Sequence, residues 1–265
     1  GLAGLKRFVE VMRIEPSIQE AADALPLTDV KGEIVLEHVV FGYKKDVDVL
    51  HDISLTVHAG ESIAVVGHSG GQLLPRFYDV ESGSILIDGH DIRHVTKRSL
   101  RTNIGIVQQD VFLFADTIYE NIRYGRPDAS YEEVVAAAKK AEIYDDIMKM
   151  PEGFDTYVGE RGALLSGGQK QRVSIAGVLA MHPKCIVLDE PTAMLDPNGR
   201  KDVIRAARAL NDVENVTIIL ITHYMEEVIY ADRVFVMDEG KVVMQGTPRE
   251  IFSQVERLKH LRLDV

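Results

Sequence analysis

Apolar stretches with the spacing of strands and helices alternate along most of the chain. Residues 34–36 and 39–41 are rich in β-branched and aromatic side chains, and residues 50–57 alternate as half-buried strands do. Continuous apolar runs, typical of buried parallel strands, occupy residues 62–66, 185–188 and 217–221. Further strands are predicted over residues 84–87, 104–107, 234–237 and 241–244.

Helical spacing dominates between these strands. Helices are predicted within residues 116–150, where Ser130 and Glu133 form a capping box, and over residues 170–180, 202–210, 225–231 and 249–265. Residues 1–30 read as a helix and a tether, or alternatively as a surface helix that packs on its own domain. The alternation predicts an α/β fold with a mainly parallel sheet flanked by helices.

Composition narrows the functional classes. The apolar fraction of 46% supports a substantial core, and the net charge of −11 argues against a nucleic-acid-binding surface. Cys185 is the only cysteine, which excludes an intrachain disulfide and fits a reducing compartment. No apolar run approaches the roughly 18 residues of a membrane span, and no signal peptide is expected.

Polar residues follow the predicted strands. Gly67 comes directly after an apolar run, Gln109 and His223 each follow a run after one intervening residue, and the run at 185–188 is followed by Asp189 and Glu190. Ligands of open α/β sheets bind beyond the carboxyl ends of strands. Carboxylate and amide oxygens can hold Mg²⁺, and a second carboxylate can polarise water. On chemistry alone, an ordinary solvated loop residue is the better interpretation of Gln109.

A second phosphate-binding pattern opens the helix after residue 165. Ser166, Gly167, Gly168 and Gln169 precede a helical run. Helix N-termini bind phosphate through free N–H groups and the helix dipole. Together with the strand-end carboxylates, this pattern favours a nucleotide hydrolase.

The glycine loop after residue 66 departs from the phosphate-loop template. In G-x-x-x-x-G-K-[ST], backbone N–H groups cradle phosphates, the lysine reaches the terminal ones and the hydroxyl binds Mg²⁺. Gly67 fits the first position and Gly71 comes one residue early, but Gln72, Leu73 and Leu74 stand where Gly, Lys and Ser or Thr belong. Taken alone, the loop is a glycine turn without a ligand.

The whole set of motifs resembles the nucleotide-binding domain of ABC (ATP-binding cassette) transporters. Residues 165–169 match the signature sequence, 185–190 the Walker B strand and 193–196 the D-loop, and residues 159–162 resemble the coupling loop of exporters. About six residues are absent relative to the family's phosphate loop. Three explanations remain open: residues missing from this sequence, a deliberate deletion, or a degenerate cassette.

This resemblance implies a P-loop NTPase-type core with a mainly parallel sheet, an N-terminal antiparallel β subdomain and an inserted helical subdomain at about 112–180. Residues 1–30 are the expected linker and 31–265 the nucleotide-binding domain. The two halves resemble different branches, bacterial exporters before about 165 and energy-coupling-factor importer ATPases after it. A chimera with a junction at about 160–175 is therefore predicted, with a natural divergent protein as the alternative.

The resemblance also implies the site. Two such domains sandwich two ATP molecules head to tail, with Mg²⁺ held by Asp189 and Gln109. Glu190 acts as the general base, while His223 and Gln109 complete the catalytic set. The nucleotide-binding residues implied are Tyr43 on adenine, Gly67, His68, Ser69, Gly70 and Gly71 around the phosphates, and Ser166, Gly167, Gly168, Gln169 and Asp196 facing the partner's ATP.

The implied function is ATP hydrolysis that powers transmembrane transport, impaired if the loop gap is real. Its expected partners are a second nucleotide-binding domain and a transmembrane domain, without nucleic acid, in the cytoplasm at the inner face of the cell membrane. Two alternatives remain: an engineered or degenerate scaffold that does not hydrolyse ATP, and a soluble ABC-type ATPase not tied to transport.

Overall fold

The computed structural model describes residues 18–43, 49–67, 70–193 and 195–263. The helix predicted near the N-terminus falls in residues 1–17 and lies outside the described residues. His68 and Ser69 of the glycine loop also lie outside them.

Ten strands in the described ranges form two sheets. The four-stranded sheet is antiparallel in the order β2-β1-β4-β5, and the six-stranded sheet has the order β10-β9-β3-β8-β7-β6. In the larger sheet only β10 runs antiparallel to its neighbour. The strands are β1 Ile34–Phe41, β2 Leu50–Val57, β3 Ser62–Val66, β4 Ser82–Ile87, β5 His90–Asp91, β6 Ile104–Val107, β7 Cys185–Asp189, β8 Thr217–Thr222, β9 Arg233–Asp238 and β10 Lys241–Gly246. This architecture confirms the predicted α/β fold with an antiparallel β part and a mainly parallel core.

Helices cover the larger sheet and fill the stretch between β6 and β7. They are α1 Lys97–Asn103, α2 Ile118–Arg123, α3 Tyr131–Lys140, α4 Tyr144–Lys149, α5 Gly167–Ala180, α6 Pro197–Glu214, α7 Met225–Val228, α8 Pro248–Phe252 and α9 Val255–His260. The part of the chain described contains no helix long and apolar enough to cross a membrane.

Local chemistry sets the helix ends. The capping box predicted for Ser130 and Glu133 is present at the start of α3. The last predicted helix, over 249–265, is instead split into α8 and α9, because Gln254 has non-helical backbone angles between them. Helix α6 extends further at both ends than the predicted 202–210, since Asp196 caps its first turn and Pro197 occupies the first position, where no N–H is needed.

The described part of the predicted tether is anchored on the domain. The N–H of Leu27 donates to Ser99 Oγ at 2.8 Å, and Lys97 Nζ donates to the carbonyl of Ile18 at 2.9 Å. Leu27 is buried. Residues 18–30 therefore pack beside α1, while the division into a linker and a domain at residue 30 stays a prediction.

Candidate functional site

Three adjacent parallel strands bring polar residues to one edge of the larger sheet. Strands β3, β8 and β7 are neighbours in register, so the residues that follow them lie side by side. These are Gly67 after β3, His223 after β8, and Asp189 with Glu190 at the end of β7. The arrangement matches the strand-end cluster predicted from the sequence.

Glu190 and His223 form a pair at this edge. Glu190 Oε1 lies 3.2 Å from His223 Nε2, and the Glu190 N–H donates to the carbonyl of Ile221 at 2.9 Å. Glu190 has a φ of 47°, in the left-handed region that non-glycine residues rarely occupy and that surrounding contacts must enforce. The side chains of Glu190 and His223 are 28% and 43% exposed, so a water or phosphate can reach both.

Asp189 has an unfavourable electrostatic environment. Burial, and then the adjacent Glu190 carboxylate, raises the pKa of the Asp189 carboxyl above its usual range. A cation would relieve this cost, and Mg²⁺ commonly binds one or two carboxylates together with substrate phosphates. Within the described ranges no group of three or more His, Cys, Asp and Glu side chains could hold a metal alone. The donor set therefore fits Mg²⁺ that arrives with a nucleotide.

Tyr43 belongs to the same edge. Burial, followed by Tyr78 and then Asp189, raises the pKa of the Tyr43 hydroxyl, so its ring lies within electrostatic reach of the Asp189 carboxyl. Its ring contacts Phe41 and Tyr78 edge-on, with centroids 4.9 and 5.3 Å away. The side chain stays 49% exposed, which leaves surface for a planar ligand.

The described glycines of the loop pack closely against the strand ends. Gly67 has a φ of 114°, and a Cβ built there would lie 2.8 Å from the carbonyl oxygen of Met237, so only glycine fits without strain. A Cβ on Gly71 would lie 2.8 Å from the Ile221 side chain and 3.7 Å from Asp189 Oδ2. A three-residue helical turn, Gly71–Leu73, follows, and its last residue, Leu73, and the next residue, Leu74, are buried.

An apolar cavity of about 70 Å³ lies beneath this loop. Its walls are aliphatic side chains from both sheets, among them Ile53, Val65 and Ile221, and the loop itself contributes Gly71 and Leu73. At about 24 cal/mol per Å³, a void of this size costs roughly 2 kcal/mol of stability. Around the shortened loop, the side chains therefore do not completely fill the space between the two sheets.

The cation nearest to the loop in the sequence is already engaged. Arg76 is 5% exposed, and its guanidinium donates to Asp79 Oδ1 at 2.7 Å and to the carbonyls of Gln19 and Arg93. These bonds fix Arg76 in the interior. It therefore cannot replace the missing loop lysine without losing them.

Gln109 lies exposed two residues beyond the end of β6. The carbonyl of the preceding Gln108 accepts a bond of 3.4 Å from the buried Gln171 on α5. This bond joins the segment that carries Gln109 to the helix opened by the signature residues. A role of Gln109 as a Mg²⁺ ligand stays a prediction.

The signature residues form a second group around two helix N-termini. Ser166 caps α5: its Oγ accepts from the Gln169 N–H at 3.2 Å, while Gln169 Oε1 accepts from the Ser166 N–H at 3.0 Å. Ser166 and Gly167 are exposed. Gly168 packs against Gly199 of α6, whose N-terminus is capped by the exposed Asp196. Both helices thus present their first turns to solvent, which suits an anionic ligand from a partner.

One feature of the site escapes sequence reasoning. The carboxylate of Glu227, only 3% exposed, accepts hydrogen bonds from the hydroxyls of Thr192 and Thr222. A glutamate within an acidic helical stretch reads as solvated, and nothing in the spacing signals its burial. A threonine beside each strand-end motif is the sole available hint.

Replacement of Asp189 by asparagine is expected to stabilise the fold at neutral pH. Because the folded-state pKa of Asp189 is raised, its ionised form costs stability above that pKa, and the cost disappears as the pH falls below the unfolded value near 4. We expect a gain of about 0.5 kcal/mol at pH 7, reduced by partial solvent screening.

Thermal unfolding of Asp189→Asn between pH 4 and 8 measures this effect. The advantage of the variant should shrink toward pH 4. The exposed Glu256→Gln replacement is the matched control, with no comparable pH-dependent gain. An Asp189→Asn variant less stable than the parent at pH 7 would contradict the electrostatic interpretation.

Comparisons with known proteins agree with this geometry. The sequence profile described as "ABC transporter" matches residues 50–193. YgaD of Bacillus subtilis (strain 168), whose name describes a multidrug export ATP-binding/permease protein, is 42% identical over 98% of this chain and 46% of its own length. YwjA of the same strain, named as an ABC transporter ATP-binding protein, is 43% identical over 96% of this chain and 45% of its own length.

A solved structure gives the same result. A bacterial Atm1-family ABC exporter with ATP bound superposes with a TM-score of 0.88 at 39% identity, over 99% of this chain and 48% of that one. The chain spans about half the length of the relatives it matches. The alignment with YgaD covers both halves, and a hybrid origin stays a prediction. With its profile match over more than half of its residues, the chain belongs to the ABC transporter family, as a nucleotide-binding domain.

Proposed function

We propose that this domain binds and hydrolyses ATP in a head-to-tail dimer and thereby powers an export-type ABC transporter. The observation that carries the proposal is the Glu190–His223 pair beside Asp189 at the strand ends. A carboxylate next to a histidine, both open to solvent, can hold a water in line with a terminal phosphate. The name of YgaD, which describes a multidrug export protein, supports the export direction.

Each residue then has a role. Glu190 accepts a hydrogen bond from the attacking water, and His223 donates to the γ-phosphate. Asp189 and Gln109 would hold Mg²⁺, which supplies charge neutralisation at the phosphates when bound. Ser166, Gly167 and Gly168 act across the dimer, because their helix N-terminus is exposed and faces away from its own chain.

An exposed aromatic surface supports a transmembrane partner. Phe112, Phe114 and Tyr124 contact one another, and their side chains are 60%, 41% and 65% exposed. Leu164, 70% exposed, packs beside Gly159 in the loop predicted to couple to transmembrane helices. An apolar surface of this kind needs a partner, which would place the domain at the inner face of the cell membrane.

The incomplete phosphate loop predicts weak ATP binding and hydrolysis for the 265-residue chain. Without the loop lysine and hydroxyl, ATP binding rests on Tyr43, the glycine backbone and Mg²⁺. The competing function is a scaffold that binds no nucleotide, and the same incomplete phosphate loop favours it.

Calorimetric titration with MgATP separates the two. We expect weak, saturable binding, and Tyr43→Ala should lower the affinity about tenfold, because stacking on a base contributes about 1–3 kcal/mol. Tyr157→Ala is the matched control, since Tyr157 is also 49% exposed but is not among the nucleotide-binding residues. Absence of any saturable heat with the parent chain would favour the scaffold.

A further inference from the structure

Glu227 is a buried carboxylate whose position needs a reason. It lies on the short helix α7 and is 3% exposed. Burial of an ionisable group is costly unless hydrogen bonds compensate for it. The charge of Arg200 acts on Glu227 only at longer range, because the Arg200 guanidinium lies 3.5 Å from the exposed Glu226 and over the ring of Tyr224.

Two threonines satisfy this carboxylate. Thr192 Oγ1 donates to Glu227 Oε1, and Thr222 Oγ1 donates to Glu227 Oε2 at 2.7 Å. Both threonines are essentially inaccessible to solvent, at 0% and 1% exposure. Thr222 Oγ1 also accepts from the N–H of Tyr224 at 3.0 Å. Each carboxylate oxygen of Glu227 thus accepts a hydrogen bond from a buried threonine, which makes the network rigid.

The two threonines lie close in sequence to the two catalytic candidates. Thr192 lies in the loop after β7, two residues beyond Glu190, and Thr222 is the last residue of β8, directly before His223. Glu227 thus bridges the loop after β7 to the end of β8, where Glu190 and His223 also meet. The left-handed backbone at Glu190, with a φ of 47°, requires such support.

We propose that Glu227 is a positioning residue: through Thr192 and Thr222 it fixes Glu190 relative to His223, and so fixes the general base for the attacking water. This role rests on the proposed hydrolytic function.

Amide hydrogen exchange of the 265-residue chain tests the bridge without relying on activity. The N–H of Glu190, bonded to the Ile221 carbonyl, reports whether the loop after β7 and the end of β8 stay together. In Glu227→Ala this amide should exchange about tenfold faster relative to core amides of the same variant. Glu227→Gln keeps an acceptor and a donor for the two hydroxyls and should restore most of the protection.

Residual hydrolysis at saturating MgATP tests the catalytic consequence. Glu227→Ala should lower kcat by about 10- to 100-fold with KM unchanged, and Glu227→Gln should recover most of it. Glu226→Ala, a change at the exposed neighbour, should alter neither readout. In a Glu190→Gln background, Glu227→Ala should cause no further loss, since the group that it positions is gone.

The outcomes are distinguishable. Faster exchange at every core amide of Glu227→Ala, without a local excess at Glu190, would reduce Glu227 to a structural role and overturn the proposal, as would an additive loss in the Glu190→Gln background. A parent chain that hydrolyses no ATP would contradict the proposed function, and the exchange result would then decide the bridge alone.

Discussion

Insertion of Gly-Lys-Ser-Thr-Leu-Ile between Gly71 and Gln72 is expected to tighten MgATP binding by about 100-fold. The insertion completes the G-x-x-x-x-G-K-[ST] template that starts at Gly67. A lysine to the terminal phosphates and a hydroxyl to Mg²⁺ add two charged contacts. At about 1.5–3 kcal/mol each, they give roughly 3 kcal/mol, which is a factor of about 100 in Kd.

The structure gives this insertion a place to go. Leu73 and Leu74 now follow the last loop glycine after a single residue, and their burial holds this end of the loop close to the interior. Six added residues would let the loop rise and a helix start, and their Leu and Ile would fill the apolar cavity of about 70 Å³. We therefore expect the inserted chain also to be more stable, by up to roughly 2 kcal/mol.

A matched insertion separates charge from shape. Gly-Ala-Ser-Thr-Leu-Ile keeps the hydroxyl but lacks the lysine stem and ammonium group, so it should give the same gain in stability but only about a tenfold gain in affinity. Intact-mass measurement of the parent comes first, since 29.5 kDa corresponds to the 265-residue chain. A parent of verified mass that binds MgATP as tightly as the lysine insertion would refute the claim that the gap impairs the site.

The strand-end half of the site could be predicted because parallel strands have a simple geometry. Buried strands can be recognised in the sequence as apolar runs, and in a parallel sheet their carboxyl ends share one edge. Asp189, Glu190 and His223 were therefore expected together, and the strand order β3-β8-β7 brings them together. The capping roles of Ser130 and Ser166 could be predicted for a similar reason, since a helix cap depends on a neighbour three residues away in the sequence.

Features that depend on tertiary contacts could not be predicted from the sequence. Sequence reasoning finds the missing lysine, but the burial of Leu73 and Leu74 and the cavity below them follow from how two sheets close over a shortened loop. The burial of Glu227 could not be predicted for the same reason. Its partners are 35 and 5 residues away, and only the packing of α7 against the loop after β7 and the end of β8 removes it from water.

The strongest test of the dimer is the recovery of activity from two inactive variants. In the chain with the lysine insertion, Glu190→Gln removes the general base, and Ser166→Asp places a negative charge at the N-terminus of α5. We expect each variant alone to lose hydrolysis by about 10²–10³-fold. Aspartate is a good N-cap, so the change at Ser166 preserves the helix start and acts mainly through charge.

Mixing the two variants should restore turnover, because each supplies what the other lacks. In a head-to-tail dimer, one composite site pairs Glu190 of the first chain with Ser166 of the second, and both are intact there. Half of randomly mixed dimers hold one such site of two, so roughly a quarter of the parental activity should return. A mixture no more active than its components would mean that the signature residues serve their own chain's nucleotide or none. Because His223 and Asp189 are untouched in both variants, the recovered activity reports on Glu190 and Ser166 alone, and it assigns the exposed first turn of α5 to the partner's ATP.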